Sequence, residues 1–260
     1  MLIDYRYLVV LIAIFLLVSC HNKQKENDNS ISLEQVIKAN SESLGGDHQI
    51  DKIDAIKITS IMKEETYHDS VVFVADRLGR MRVDIYDLNS NIRVFSESYD
   101  GENGHQRSPK KGQELSSEKG TLALSHTVQF PGHIFQLKDM AQNGHKAELI
   151  GKEKIDGIDY HIIKLTLSDG FESYYFVSSK DWLIHKIRSK RALHVDIDPN
   201  EQFIEVQHSN YKSVNGVLKP FKVIEVDLKT NKILVETIIS KYLINPKIND
   251  SLFVNLNKVY

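Results

Sequence analysis

Arg77-Leu78-Gly79-Arg80-Met81-Arg82-Val83-Asp84-Ile85 decides the fold class of this chain. Met81, Val83 and Ile85 alternate with Arg80, Arg82 and Asp84, so three apolar side chains share one face of a half-buried strand, and Leu78-Gly79 ahead of them is turn chemistry. The same period of two recurs, less cleanly, over 55–62, 71–75, 92–98, 147–152, 160–167, 171–177, 183–188, 203–211, 221–228 and 233–243, which makes eleven predicted strands. Their separators are short: Asn89-Ser90-Asn91, Asp100-Gly101, Asp156-Gly157, Asp169-Gly170, Ser179-Lys180-Asp181, Asn215-Gly216 and Thr230-Asn231. A parallel crossover needs about a dozen residues or more, and most of these gaps have no room for one. The strands therefore follow one another as antiparallel hairpins.

Two segments depart from the strand period. Ser32-Leu33-Glu34-Gln35 has the form of a capping box, and Leu33, Val36, Ile37 and Leu44 fall on one side at helical spacing before Gly45-Gly46 stops the helix. Between Glu118 and Asn143 the apolar residues Leu122, Leu124, Val128, Phe130, Ile134, Phe135, Leu137 and Met140 show no sustained alternation. Ile134, Leu137 and Met140 suit one helix face, and Pro131 separates them from what precedes, so one or two short helices crossing the sheet are expected. So many strands in one open sheet must twist and curl. The expected fold is α+β and β-rich: a strongly curved antiparallel sheet, or half-barrel, with an N-terminal helix and short helices covering its concave face.

The N-terminus carries a different signal. The apolar run Leu8–Val18 is eleven residues long, too short for the roughly 18 or more of a membrane span, and fits the hydrophobic core of a signal peptide. It is followed by Leu17-Val18-Ser19-Cys20, which resembles the lipobox of bacterial lipoproteins and implies cleavage before Cys20 and a diacylglyceryl group on its thiol. The positive charge ahead of the run is weak, with Arg6 offset by Asp4. Residues 21–30 contain no apolar side chain and cannot offset their ordering entropy. The chain thus divides into a signal peptide (1–19), a flexible tether (20–31) and a single domain (32–260). His21 behind the acylated cysteine, by the same resemblance, argues against inner-membrane retention, so the expected location is the cell envelope, at the periplasmic face of the outer membrane or the cell surface. Cys20 is the only cysteine, so the domain has no internal disulfide and depends on its core.

Composition narrows the function. A net charge of −2 offers no basic field of the kind that drives nucleic-acid binding, so nucleic acid is not an expected partner. None of the eleven histidines forms a His-Glu-x-x-His pair; His126 and His133 are interrupted by Pro131. Asp196-Ile197-Asp198-Pro199-Asn200-Glu201 lacks the glycine and closing glutamate of a calcium loop and reads as a tight turn. There is no Gly-x-Ser-x-Gly elbow, Trp182 reads as a packing anchor, and Ser108-Pro109-Lys110-Lys111-Gly112 reads as an exposed basic loop. No cofactor, no metal and no catalytic activity are expected.

The order helix, Gly-Gly, long antiparallel sheet, helical insertion, more sheet resembles the LolA/LolB-type lipoprotein carriers and their outer-membrane lipoprotein-sorting relatives from about Leu33 to Phe253. Local matches are Leu44-Gly45-Gly46, Arg77 to Val83, Asp100-Gly101-Glu102-Asn103-Gly104-His105, and Tyr211 to Pro220. His105 departs from the family's usual aromatic, and Leu78 from its proline. The resemblance implies a non-catalytic protein that binds a hydrophobic ligand, lipid or the acyl chains of a lipoprotein, with a part in lipoprotein sorting. It implies that Arg77 ties a lid to the sheet and that Phe130, Ile134 and Phe135 belong to that lid or to the cavity. The residues alone leave two alternatives open: an envelope interaction module whose interior is filled by side chains, and an exported hydrolase.

Overall fold

The computed structural model describes residues 31–65 and 67–259, so the predicted signal peptide, Cys20 and the tether as far as Ser30 lie outside the described residues. The domain opens with α1 (Leu33–Leu44) and a single turn, α2 (Asp47–Ile50). Six strands follow: β1 (Ala55–Lys63), β2 (His68–Asp76), β3 (Met81–Asp87), β4 (Arg93–Tyr99), β5 (Gly104–Ser108) and β6 (Gly112–Leu115). Then come α3 (Glu118–Gln129) and a 3-10 turn (Leu137–Asp139). Seven further strands are β7 (Lys146–Ile155), β8 (Ile158–Thr166), β9 (Glu172–Ser178), β10 (Ile184–Arg191), β11 (Gln202–Val214), β12 (Val217–Asp227) and β13 (Lys232–Ile244), and the chain closes with α4 (Ser251–Val254).

All thirteen strands form one antiparallel sheet in the order β6-β5-β4-β3-β2-β1-β13-β12-β11-β10-β9-β8-β7. The first six strands meander away from β1. The remaining seven begin at the opposite edge with β7 and return until β13 pairs with β1. The sheet is an open half-barrel with β6 and β7 as its edges. Residues 116–145 pass between those edges and carry α3 and the 3-10 turn across the inner, concave face.

The sheet holds two strands more than the eleven predicted. β5 and β6 were invisible to an alternation test because most of their side chains are half-buried and polar on both faces, as suits a sheet edge. Ser108-Pro109-Lys110-Lys111-Gly112, read as a loop, is the turn of their hairpin. The predicted helical segment is one regular helix and one short turn rather than a helix built on Ile134, Leu137 and Met140. Phe130, forced out of helical geometry by Pro131 behind it, takes φ −62° and ψ 139° and ends α3. At α1 the capping box forms as read, with Ser32 and Gln35 exchanging hydrogen bonds. Gly45 is required twice over: φ is +126°, and a Cβ there would stand 2.1 Å from the Gly216 carbonyl oxygen in the β11–β12 turn.

The core lies on the inner face. Ile56, Ile58, Ala75 and Met81 from the sheet pack with Leu44 and Ile50 from α1 and α2, and with Leu124, Val128 and Ile134 from the insertion. On the outer face Val72 and Val74 pack with Ile248, Leu252 and Phe253 from the C-terminal segment. Residues 32–260 form one compact unit on their own.

Candidate ligand-binding face and its cover

Strand register lays out the inner face in rows. One row runs Tyr242, Ile58, Phe73, Val83, Glu97, Gln106, so four apolar or aromatic side chains give way to polar ones toward the β6 edge. The insertion fills this face: Leu124, Val128, Ile134, Leu137 and Met140 are all buried. At the β6 edge a cleft of about 60 Å³ remains between β4, β5, α3 and residues 193–197, lined by Phe95, Glu97, Leu124, Thr127, His194 and Asp196. That is well below the roughly 300–1,000 Å³ of drug-sized ligand pockets. Burial raises the pKa of Glu97 within it, and Asp196 adds to the rise while His194 opposes it. Next to this cleft the inner face is covered by the insertion's own Leu124, Val128 and Ile134.

Several polar contacts hold the insertion in place. At its start, Asp196 accepts from the backbone and hydroxyl of Ser117, the N-cap of α3, and Gly120 leaves room for that carboxylate, since a Cβ there would meet Asp196 at 2.3 Å. In the last turn of α3 His126 meets Asp169 of the β8–β9 turn at 2.5 Å, its ring tilted against those of Phe130 and Phe171. Farther along, Lys138 donates to Asp51, which ends α2, and to Asp139.

The deepest of these contacts belongs to Lys219. Val217, Lys219, Phe221 and Val223 alternate along β12 so that the lysine points inward with the apolar residues, and it is 2% exposed. Its Nζ donates to the carbonyl oxygens of Gly132 and His133 at 2.9 and 2.8 Å. An ammonium carries three donors, so one is left over. Burial pushes Lys219 down to about 7, helped by Arg77. His133, its ring 4.6 Å from Phe73, is pushed down to about 3 by burial and by Lys219, and His208 of β11 to about 4 chiefly by burial.

The residues singled out in the sequence fall around this point. Arg77 donates through Nε to Ile53 O at 2.6 Å and through a terminal nitrogen to Ile50 O at 2.8 Å. Its guanidinium therefore fastens the segment after α2, and the insertion is tied to the sheet by Lys219 instead. Ile134 is completely buried in the inner core, Phe135 packs against that core, and the ring of Phe130 meets that of Phe171 at a tilt with centroids 5.7 Å apart, so all three lie in the covering segment. Trp182 stacks on His161 at 5.2 Å while its carbonyl accepts from Asn40 of α1, which makes it an anchor as read. Asp198-Pro199-Asn200 is the expected tight turn, with Asp198 accepting from Asn200. Lys219 escaped sequence reading although it left a signal: a lysine in the apolar phase of a strand.

No protein-family model matches the sequence, and no curated protein is similar to it in sequence. Solved structures are similar to it in fold. A LolA superfamily protein from Nitrosomonas europaea superposes with a TM-score of 0.54 at 12% identity, covering 86% of this chain and 98% of that one. The domain has a LolA/LolB-like fold. An outer membrane lipoprotein-sorting protein domain from Vibrio parahaemolyticus gives 0.53 at 12% identity, covering 84% of this chain and 94% of that one. A DUF1329 family protein from Desulfovibrio piger gives 0.55 at 13%, covering 84% and 96%. In this LolA/LolB-like domain, as in the sequence reading, a helical insertion covers the inner face of a long antiparallel sheet.

Proposed function

We propose that the domain is a non-catalytic binding protein for a hydrophobic ligand, lipid or the acyl chains of a lipoprotein, with residues 116–145 as a displaceable lid. The observation that carries this reading is that one continuous segment covers the apolar inner face and that, near its centre, a buried lysine of the sheet donates to two of its carbonyls. Lifting it exposes four or five side chains at about 1.5–3 kcal/mol each, and an acyl chain of a dozen or more methylenes at about 0.8 kcal/mol each offsets that exposure. We place the protein in the cell envelope, held to a membrane through acylated Cys20, where a tethered domain acts as a local acceptor of lipids or in lipoprotein sorting.

The close packing of Leu124, Val128 and Ile134 on the sheet favours a second reading, an interaction module with a permanently packed core. Titrating residues 32–260 with the neutral fluorophore N-phenyl-1-naphthylamine separates the two. Saturable binding at one probe per chain supports the lid, and fluorescence no higher than in buffer supports the packed module. The anchor has its own test: Cys20→Ala is expected to release the protein from the membrane fraction, and a variant still wholly membrane-bound counts against acylation.

A further inference from the structure

The basic groups beneath the insertion have no acid to balance them. The buried Lys219 of β12 lies close to the half-buried His133 of the insertion and His208 of β11, with Arg77 of the β2–β3 turn beside it, and the charges acting on the first three are one another's, that of Arg77 and that of His185, itself paired with Asp181 at 3.0 Å. Among the described residues no carboxylate pairs with Lys219, His133, His208 or Arg77. Elsewhere buried charges are matched: Arg82 meets Asp84, and the buried Glu205 meets the half-buried Lys186 and Arg188. A purely structural tie between β12 and two carbonyls needs only a neutral donor. A lysine there carries a cost of burial that a counter-ion would remove.

Resting on the reading of the inner face as a ligand site, we propose that the ligand is an amphiphile with an anionic head, a carboxylate or phosphate. Its oxygens replace the carbonyls of Gly132 and His133 as acceptors for Lys219. The exchange couples recognition to opening. As long as Nζ donates to the two carbonyls the insertion is held down. Once an oxyanion takes those hydrogens the tie is cut, and the ammonium, now facing a charge of opposite sign, has a stronger partner than it gave up. The imidazoles of His133 and His208 supply further donors to the same head. The aliphatic part lies along Phe73, Phe221 and Val223, the space vacated by Ile134 and Phe135.

The test displaces N-phenyl-1-naphthylamine from residues 32–260 at pH 7 with four sixteen-carbon competitors, each below its micellar concentration. They are palmitate, 1-palmitoyl lysophosphatidate, neutral 1-palmitoylglycerol and hexadecyltrimethylammonium. At least one anion is expected to bind ten- to a hundredfold more tightly than the neutral glyceride, and the tighter anion identifies the head. In Lys219→Met that ratio is expected to fall below threefold. Should this variant not fold, His133→Gln and His208→Gln serve in its place, and a ratio unchanged in both overturns the proposal. Equal affinity for all four, or preference for the ammonium, overturns the anionic head and leaves hydrophobic binding standing. Failure of every competitor and of the probe itself overturns the binding reading as well.

Discussion

Arg82 and Lys219 are both buried cations that bind main-chain carbonyls, one on each face of the sheet, and they hold their segments in different ways. Arg82 is 1% exposed and uses all five of its N–H groups. Two go to Asp84, at 2.9 and 3.0 Å, and three to the carbonyls of Leu252, Asn255 and Lys258 at 2.7–3.2 Å. Asp84 is further satisfied by Ser96 at 2.6 Å and Arg93 at 3.4 Å. Around this pair Ser98 donates to Phe253 O, and Gln113 donates to Val254 O while accepting from Leu256 N. Nothing there is left to exchange. Lys219 has two carbonyl acceptors, a spare donor and no carboxylate. The outer-face contact is saturated and fixed, while the inner-face contact is underfilled and can be traded for another acceptor.

The sharpest way to break this comparison is Arg82→Met. Removing one partner of a buried ion pair strands Asp84 and three carbonyls, and the expected cost is about 3–5 kcal/mol in urea unfolding. A loss under about 1 kcal/mol would mean that the outer contact is no more fixed than the inner one. Next is Gly45→Ala, which drives a methyl into the Gly216 carbonyl and demands a disfavoured φ; a loss of more than about 1 kcal/mol is expected, read from the same denaturation curve.

Lys219→Met should cost less, about 1–2 kcal/mol, because two lost hydrogen bonds are partly offset by removing a desolvated amine. Its distinguishing mark is pH dependence. With Lys219 held at about 7 in the closed domain and at 10.5 when released, release takes up a proton anywhere between those values. Native stability is therefore expected to rise as pH goes from 7 toward 10 and to stop depending on Lys219 below 7. Within that window His133 and His208 are already neutral, and burial raises Tyr211 and Tyr242 out of range. Urea midpoints at pH 7 and 9.5 should thus differ in the native chain and converge in Lys219→Met. An equal pH slope in both would remove Lys219 from the account. The smallest effect belongs to Lys110→Ala in the β5–β6 turn, where a change within about 0.5 kcal/mol is expected.

How much could be read in advance differs along the chain in the same way. Met81, Val83 and Ile85 gave away β3 because one of its faces is apolar; His105 and Arg107 in β5 gave nothing, because an edge strand need not keep an apolar face. Arg82 stands in the polar phase of β3, which a local reading assigns to solvent, yet the C-terminal segment more than 160 residues later covers it completely. Arg77, expected at the lid, fastens the turn after α2, and the lid contact comes from β12. Periodicity reports which residues share a face and says nothing of what lies over it.

By itself the sequence determined the strands with one apolar face, the capped first helix, the hairpin order and the break at Pro131, since each depends on residues within a few positions of one another. Tertiary structure decided that β13 closes on β1, that a C-terminal segment seals the outer face, and that Lys219 rather than Arg77 holds the insertion. Those outcomes depend on contacts between residues tens to more than a hundred positions apart, where loop closure and complementary surfaces, not local pattern, set the energy.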